Sequence, residues 1–169
     1  QADAKSGAAT GFAAHAPAPV ALQAPADTAV TPEKIAAYSI VIEAIVEDLA
    51  AKRTLFRDLE KRVSPDCVLA TNTSSLSVTD VAAGCERPER VGGLHFFNPP
   101  PLMRLVEVIG GLRGDPALIA ALVGFVKRIN KHPVVAADTP GFIVNHAGRA
   151  YGPEALRIVS QGIASPREV

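Results

Sequence analysis

Short apolar runs rich in isoleucine and valine alternate along this chain with amphipathic stretches of helical period. That alternation narrows the fold more than any other feature. Ser39 to Val46 (SIVIEAIV) is almost wholly apolar. It is too short for a buried helix and has no polar face, which is how a strand covered on both sides of a parallel sheet reads. From Asp48 to Val63, residues Leu49, Leu55, Phe56, Leu59 and Val63 fall near one helical face. Ser64-Pro-Asp-Cys67 is a turn, and Val68 to Thr71 is a second buried strand. A helix follows over Ser77 to Ala83, opened by a Ser77/Asp80 capping box and stopped by Gly84.

The second half continues the alternation. Val91 to Phe97 reads as a strand, with Asn98 and three prolines as a sharp exit. Leu102 to Ile109 is strand-like again. Asp115-Pro116 sets an N-cap and first helical residue for a helix through Ile129, with Leu118, Ile119, Leu122, Val123, Val126 and Ile129 inward. Pro133 to Ala137 is a last short strand. Thr139-Pro140-Gly141 turns into a helix running to about Ser160, with Gly162 just past its end. The order βαβαββαβα predicts an α/β fold with an incomplete doubly wound, Rossmann-like sheet.

Residues 1–30 do not share this pattern. They are rich in Ala, Pro and Gly without a sustained period, and read as an irregular or linker segment in which His15 is solvent-exposed. Dinucleotide-binding folds carry G-x-G-x-x-G between the first strand and first helix. GAATG at 7–11 lacks that spacing and a preceding apolar strand, so the chain reads as the second half of such a fold.

Lys+Arg and Asp+Glu balance at 17 each, which gives no global field to recruit nucleic acid or an anionic membrane. No apolar run reaches the ~18–20 residues of a membrane span, and no basic, then apolar, leader opens the chain. A soluble, cytoplasmic protein is the expectation. Cys67 and Cys85 form neither a CxxC pair nor a metal-ligand spacing, so they read as buried reduced thiols, and no metal is expected.

Polar residues gather where the apolar runs end. His95 closes the run Leu94-His95-Phe96-Phe97, and Glu107 sits between Val106 and Val108, where a charge is costly unless paired. If the two strands lie side by side through the Asn98-Pro turn, His95 and Glu107 approach. A carboxylate on one imidazole nitrogen fixes the tautomer and makes the other the better base; the competing reading is a buried structural ion pair. Asn72, Thr73, Ser74 and Ser75 follow a strand, where α/β sheets bind ligands, although such residues also favour ordinary turns. Asn98 leaves a strand in the same way, and Asn145 lies one turn beyond Gly141. Glu47 can contact a ribose or simply favour the helix N-terminus. Lys52 can meet a phosphate or lie on a solvated helix face.

Four blocks, IVIEAIVEDL, ATNTSSLSV, RPERVGGLHFFNPPPLMRLVEV and DTPGFIVNHAGRAY, occur in one order and at set intervals. Together they resemble bacterial 3-hydroxyacyl-CoA (3-hydroxybutyryl-CoA) dehydrogenases, including those of phenylacetate degradation, over Ile40 to about Val169. The resemblance implies NAD as cofactor, an acyl-CoA substrate, and a cytoplasmic, homodimeric oxidoreductase of fatty acid metabolism. It implies His95 as catalytic acid/base with Glu107 as its orienting partner, and Ser74 and Asn145 on the substrate oxygens. It implies Glu47, Lys52, Ser74 and Asn98 at NAD, with Lys52 also toward the CoA side. Nothing catalytic falls on His146, which stands where many relatives carry Arg.

The implied domains are an irregular segment over 1–30, the second half of an NAD-binding Rossmann-like domain over 31–137, and the start of an all-helical C-terminal domain over 138–169. A protein of these residues alone is expected to bind NAD weakly or not at all, because the glycine-rich fingerprint has no counterpart. Two other readings stay open: a non-catalytic remnant or assembly module of the same fold, and a dehydrogenase of small β-hydroxy acids without CoA.

Overall fold

The computed structural model describes residues 35–169; the segment expected to be irregular, with His15 and GAATG, lies outside the described residues. Five strands, β1 (Ile40–Glu43), β2 (Val68–Thr71), β3 (Val91–Phe96), β4 (Leu105–Gly110) and β5 (His132–Ala136), form one sheet in chain order. β1, β2 and β3 are parallel, β4 runs antiparallel to β3, and β5 is parallel to β4. The helices are α1 (Leu49–Glu60), α2 (Val78–Ala82), α3 (Pro116–Arg128), α4 (Val144–Gly148) and α5 (Tyr151–Ser160). This is a mixed, largely parallel, Rossmann-like α/β sheet, as the alternation predicts.

The period of two along each strand divides the core between two faces. Leu69 and Val91 meet Phe56, Leu59, Val81 and Ala82 of α1 and α2. Ala70, Leu94, Val106 and Val108 meet Leu118, Leu122 and Val126 of α3 on the opposite face. Both cysteines are free and packed: Cys67 is buried, and burial pushes the Cys85 thiol up to about 11. At Gly93 a Cβ would stand 2.9 Å from Val78 Cγ2 and 3.0 Å from Ile109 Cβ, both fully buried. Gly93→Ala is therefore expected to cost about 1–3 kcal/mol through overpacking. Denaturant unfolding reads this directly, and an unmoved midpoint refutes it.

Four expectations are corrected. β1 stops at Glu43 rather than Val46, because Ile45 N–H turns back to donate to Glu43 Oε2 at 3.1 Å and leads the chain toward Asp48, the N-cap of α1. β4 starts at Leu105 rather than Leu102, because the prolines after Asn98 cannot donate to a ladder and Leu102 N and Met103 N bond instead to Pro99 O. Ile129 is the exposed C-cap of α3, not an inward residue. The last helix is two helices: Pro153 has no N–H for Arg149 O, and its ring belongs in the first turn of a new helix. Gly162 does sit past α5 with φ 66°, the left-handed conformation of a helix end.

Candidate active site

The antiparallel register of β3 and β4 sets His95 directly opposite Glu107. Both side chains lie on the α2 face of the sheet, beside Ile109 and Phe142. Glu107 is 0 % exposed and His95 3 %. His95 Nδ1 and Glu107 Oε2 are 2.7 Å apart. An ionised carboxylate only accepts, so Nδ1 carries the proton and Nε2 presents its lone pair. Glu107 Oε1 accepts from the backbone N–H groups of Ile143 and Val144, both at 2.9 Å, which open α4. Phe97 and Phe142 flank the imidazole, with ring centroids 4.5 and 5.6 Å away. The ring is thus held in one plane with one tautomer.

Nε2 meets Ser74 Oγ at 3.1 Å. The loop bearing Ser74 leaves the carboxyl end of β2, and Glu47 organises it. Glu47 Oε1 accepts from Thr73 Oγ (2.6 Å), Ser74 N (2.9 Å), Ser75 N (3.0 Å) and Ser75 Oγ (3.0 Å). Burial pushes the Glu47 carboxyl upward, but these donors outweigh it and hold the group below its ordinary value. Glu47 is therefore a loop clamp first, with Oε2 turned to Lys52 Nζ at 3.5 Å.

Lys52 departs from expectation. It does not lie on a solvated helix face: it is 0 % exposed. Side chains on a helix lean toward its N-terminus, and there Lys52 Nζ reaches Glu43 Oε1 and Oε2 at 2.9 and 3.0 Å, with Glu47 Oε2 at 3.5 Å. Thr71 Oγ also donates to Glu43. Its ammonium is thus buried between two carboxylates rather than presented to solvent.

Asn145, on α4, donates from Nδ2 to Ser74 O at 3.4 Å, and with Ser74, Ser75, Val144, Gly148 and Arg149 it lines an open cleft of about 450 Å³. Asn98 is exposed where β3 ends, with no side-chain hydrogen bond among the described residues. The fold thus gathers His95, Glu107, Ser74 and Asn145 in one place, with Glu47 beneath the serine loop and Lys52 behind it, while Asn98 is exposed just past the end of the strand that carries His95.

The sequence profile described as "3-hydroxyacyl-CoA dehydrogenase, NAD binding domain" matches residues 10–139. The chain belongs to this family. The match takes in residues 10–30, which the four blocks left outside the resemblance, and it ends before α4. The chain is 44% identical over 135 residues to the 3-hydroxyadipyl-CoA dehydrogenase of Escherichia coli, covering 80% of this chain and 28% of that one. It is 45% identical over 130 residues to the human mitochondrial hydroxyacyl-coenzyme A dehydrogenase, covering 77% of this chain and 41% of the other. The solved (S)-3-hydroxybutyryl-CoA dehydrogenase of Ralstonia eutropha superposes with a TM-score of 0.78 at 37% identity, over 82% of this chain and 49% of that one. The chain thus spans half or less of the length of these family members.

Sequence reasoning passed over two residues of the site. Glu43 interrupts the apolar run IVIEAIV, the same signal that singled out Glu107, and it is the buried partner of Lys52. Asp138, just past β5, holds the start of α2: Oδ1 accepts from Val78 N at 2.9 Å, and Oδ2 from Ser77 Oγ at 2.9 Å and Thr79 N at 2.8 Å. Partial burial pushes the Asp138 carboxyl upward, and these donors bring it net below its ordinary value. Nothing in the local sequence pairs it with positions some sixty residues earlier.

Proposed function

We propose that the complete protein oxidises a 3-hydroxyacyl-CoA to the 3-oxoacyl-CoA, with His95 as acid/base. The observation that carries this is the imidazole held between a buried carboxylate and a serine hydroxyl at the mouth of a cleft. NAD, the cofactor in the family's name, supplies the hydride acceptor when bound. The residues present fit its nicotinamide side: Ser74 Oγ and the exposed Asn98 amide follow the carboxyl ends of β2 and β3, where such sheets bind ligands. Glu47 Oε2, which takes none of the serine loop's donors and stands 3.5 Å from Lys52 Nζ, is the oxygen that would accept from a ribose hydroxyl. Lys52 supports that end through Glu43 and Glu47 rather than by touching the cofactor.

His95 Nε2 takes the proton of the substrate 3-hydroxyl as C3 gives up its hydride and the C–O bond becomes a carbonyl. Glu107 keeps the ring in register and balances the positive charge it acquires. Ser74 Oγ, which donates to Nε2 in the structure, shifts its hydrogen bond to the substrate oxygen, and the Asn145 amide steadies the acyl end of the same cleft. In the reverse direction His95 returns the proton. A homodimeric, cytoplasmic protein of fatty acid metabolism belongs to the same reading. The exposed apolar side chains of α5, Tyr151 and Leu156, support further helical packing in the complete protein.

The test is acetoacetyl-CoA-dependent oxidation of NADH by the complete protein. Turnover is expected, and a folded protein with none would favour the non-catalytic remnant. Turnover of free β-hydroxy acids with indifference to acyl-CoA would favour the third reading.

A further inference from the structure

We propose that Asp138 is a positioning residue that sets the distance between Ser74 and the α4 turn, and so the geometry around His95; the proposal rests on the dehydrogenase reading above. Two separate segments complete the His95 site. One runs from Ser74 into α2. The other runs from the end of β5 through the Gly141–Phe142 turn, with φ 79° and 48°, to the Ile143 and Val144 amides on Glu107 and to Asn145. Among the described residues, two sets of hydrogen bonds tie these segments. One is the long bond from Asn145 Nδ2 to Ser74 O at 3.4 Å. The other is the Asp138 carboxylate, with three shorter bonds to Ser77, Val78 and Thr79.

The expected capping box does not do this work. Ser77 Oγ accepts from Asp80 N at 3.2 Å, but Asp80 turns its carboxylate to Arg53 at 3.4 Å, and the remaining donors go to Asp138. A closed ring of contacts results. It passes from Asp138 through Ser77 to Ser74, across Nε2 to Nδ1 of His95, through Glu107 to Ile143 and Val144, and back along the turn to Asp138. Thr139 N–Ala137 O and Phe142 N–Thr139 O, both 2.9 Å, stiffen that last arc. Two residues lie between Ser74 and Ser77, and four between Asp138 and Ile143, so slack at Asp138 reaches both sides of the imidazole.

The test uses the complete protein with Asp138→Asn, which keeps the shape but leaves one accepting oxygen where there were two, so that in either orientation of the amide an NH2 faces a backbone N–H of α2. Misplacing catalytic groups by a fraction of an ångström to an ångström is expected to lower kcat per folded molecule by about 10–100-fold, with KM for acetoacetyl-CoA unchanged. A lower melting temperature with unaltered kcat, or a rise in KM in place of the fall in kcat, overturns the proposal. Ser77→Ala, which removes one of the three bonds, gives a smaller fall in kcat; no fall overturns it as well, and this variant decides the matter if Asp138→Asn does not fold. Amide exchange reads the ring without catalysis. Val78, Thr79, Ile143 and Val144 are expected to exchange faster together in Asp138→Asn, and loosening confined to Val78 and Thr79 overturns the proposal. If the parent protein has no turnover, the functional reading falls and the exchange result alone decides on Asp138.

Discussion

His95→Ala is expected to lower kcat for acetoacetyl-CoA reduction by about 10²–10⁴-fold, the usual contribution of a positioned acid/base, with a much smaller change in KM. The reasoning is geometric. Nε2 is the nitrogen left for a substrate hydroxyl, because Nδ1 is committed to Glu107 at 2.7 Å, and it reaches the cleft through Ser74 Oγ at 3.1 Å. Removing the ring leaves Ser74 Oγ without its imidazole partner and takes away the nitrogen that would receive the hydroxyl proton. Glu107 retains the two α4 amides at 2.9 Å, so the turn stays anchored and the variant is expected to fold. His95→Gln serves as a second variant, with an amide that can donate to Glu107 but cannot act as a base. Steady-state rates from NADH absorbance, with folding checked by circular dichroism, measure the effect. Parent-like turnover in both variants would remove His95 from the mechanism.

The parts of this site that the sequence made legible share one property: each was visible as a polar residue where an apolar pattern leaves no room for one. His95 and Glu107 each interrupt a strand, and the sharp Asn98-Pro exit put those strands side by side. Strand alternation then placed the two side chains on one face. Ser74 and Asn145 were legible as small polar residues at element ends. The length of β1 was not, because Ile45 and Val46 continue the apolar run although the chain has already left the sheet; hydropathy does not record a backbone N–H turning back to Glu43. The break between α4 and α5 was written in Pro153 and passed unread. Lys52 and Asp138 illustrate a deeper limit. Their partners are fixed by tertiary packing, Lys52 beneath α1 against Glu43 and Asp138 across the sheet edge on α2. A helical lysine or a strand-end aspartate carries no local mark of such a partner.

Lys52→Met is expected to destabilise the complete protein by about 3–5 kcal/mol, the cost of leaving one member of a buried ion pair alone. Glu43 keeps Ile45 N–H and Thr71 Oγ as donors but loses the ammonium that lies 2.9 and 3.0 Å from its two oxygens. Its side chain is 3 % exposed, too buried for bulk solvent to take the ammonium's place. Glu43→Gln alone is expected to be costly for the converse reason, a buried ammonium left with Glu47 at 3.5 Å as its remaining carboxylate neighbour. The double variant should then lose less than the sum of the singles, since neither charge is stranded, and a double-mutant cycle in denaturant gives the coupling, typically 0.5–3 kcal/mol in magnitude for contacting residues. Strict additivity would mean that the pair is not coupled. The same variant separates the two roles a lysine at this position can have. A phosphate-binding Lys52 would raise KM for NADH and leave unfolding untouched. A Lys52 that braces Glu43 and Glu47 lowers stability first, then loosens the Thr73–Ser75 loop that Glu47 holds, so kcat falls through Ser74 while KM for NADH changes little.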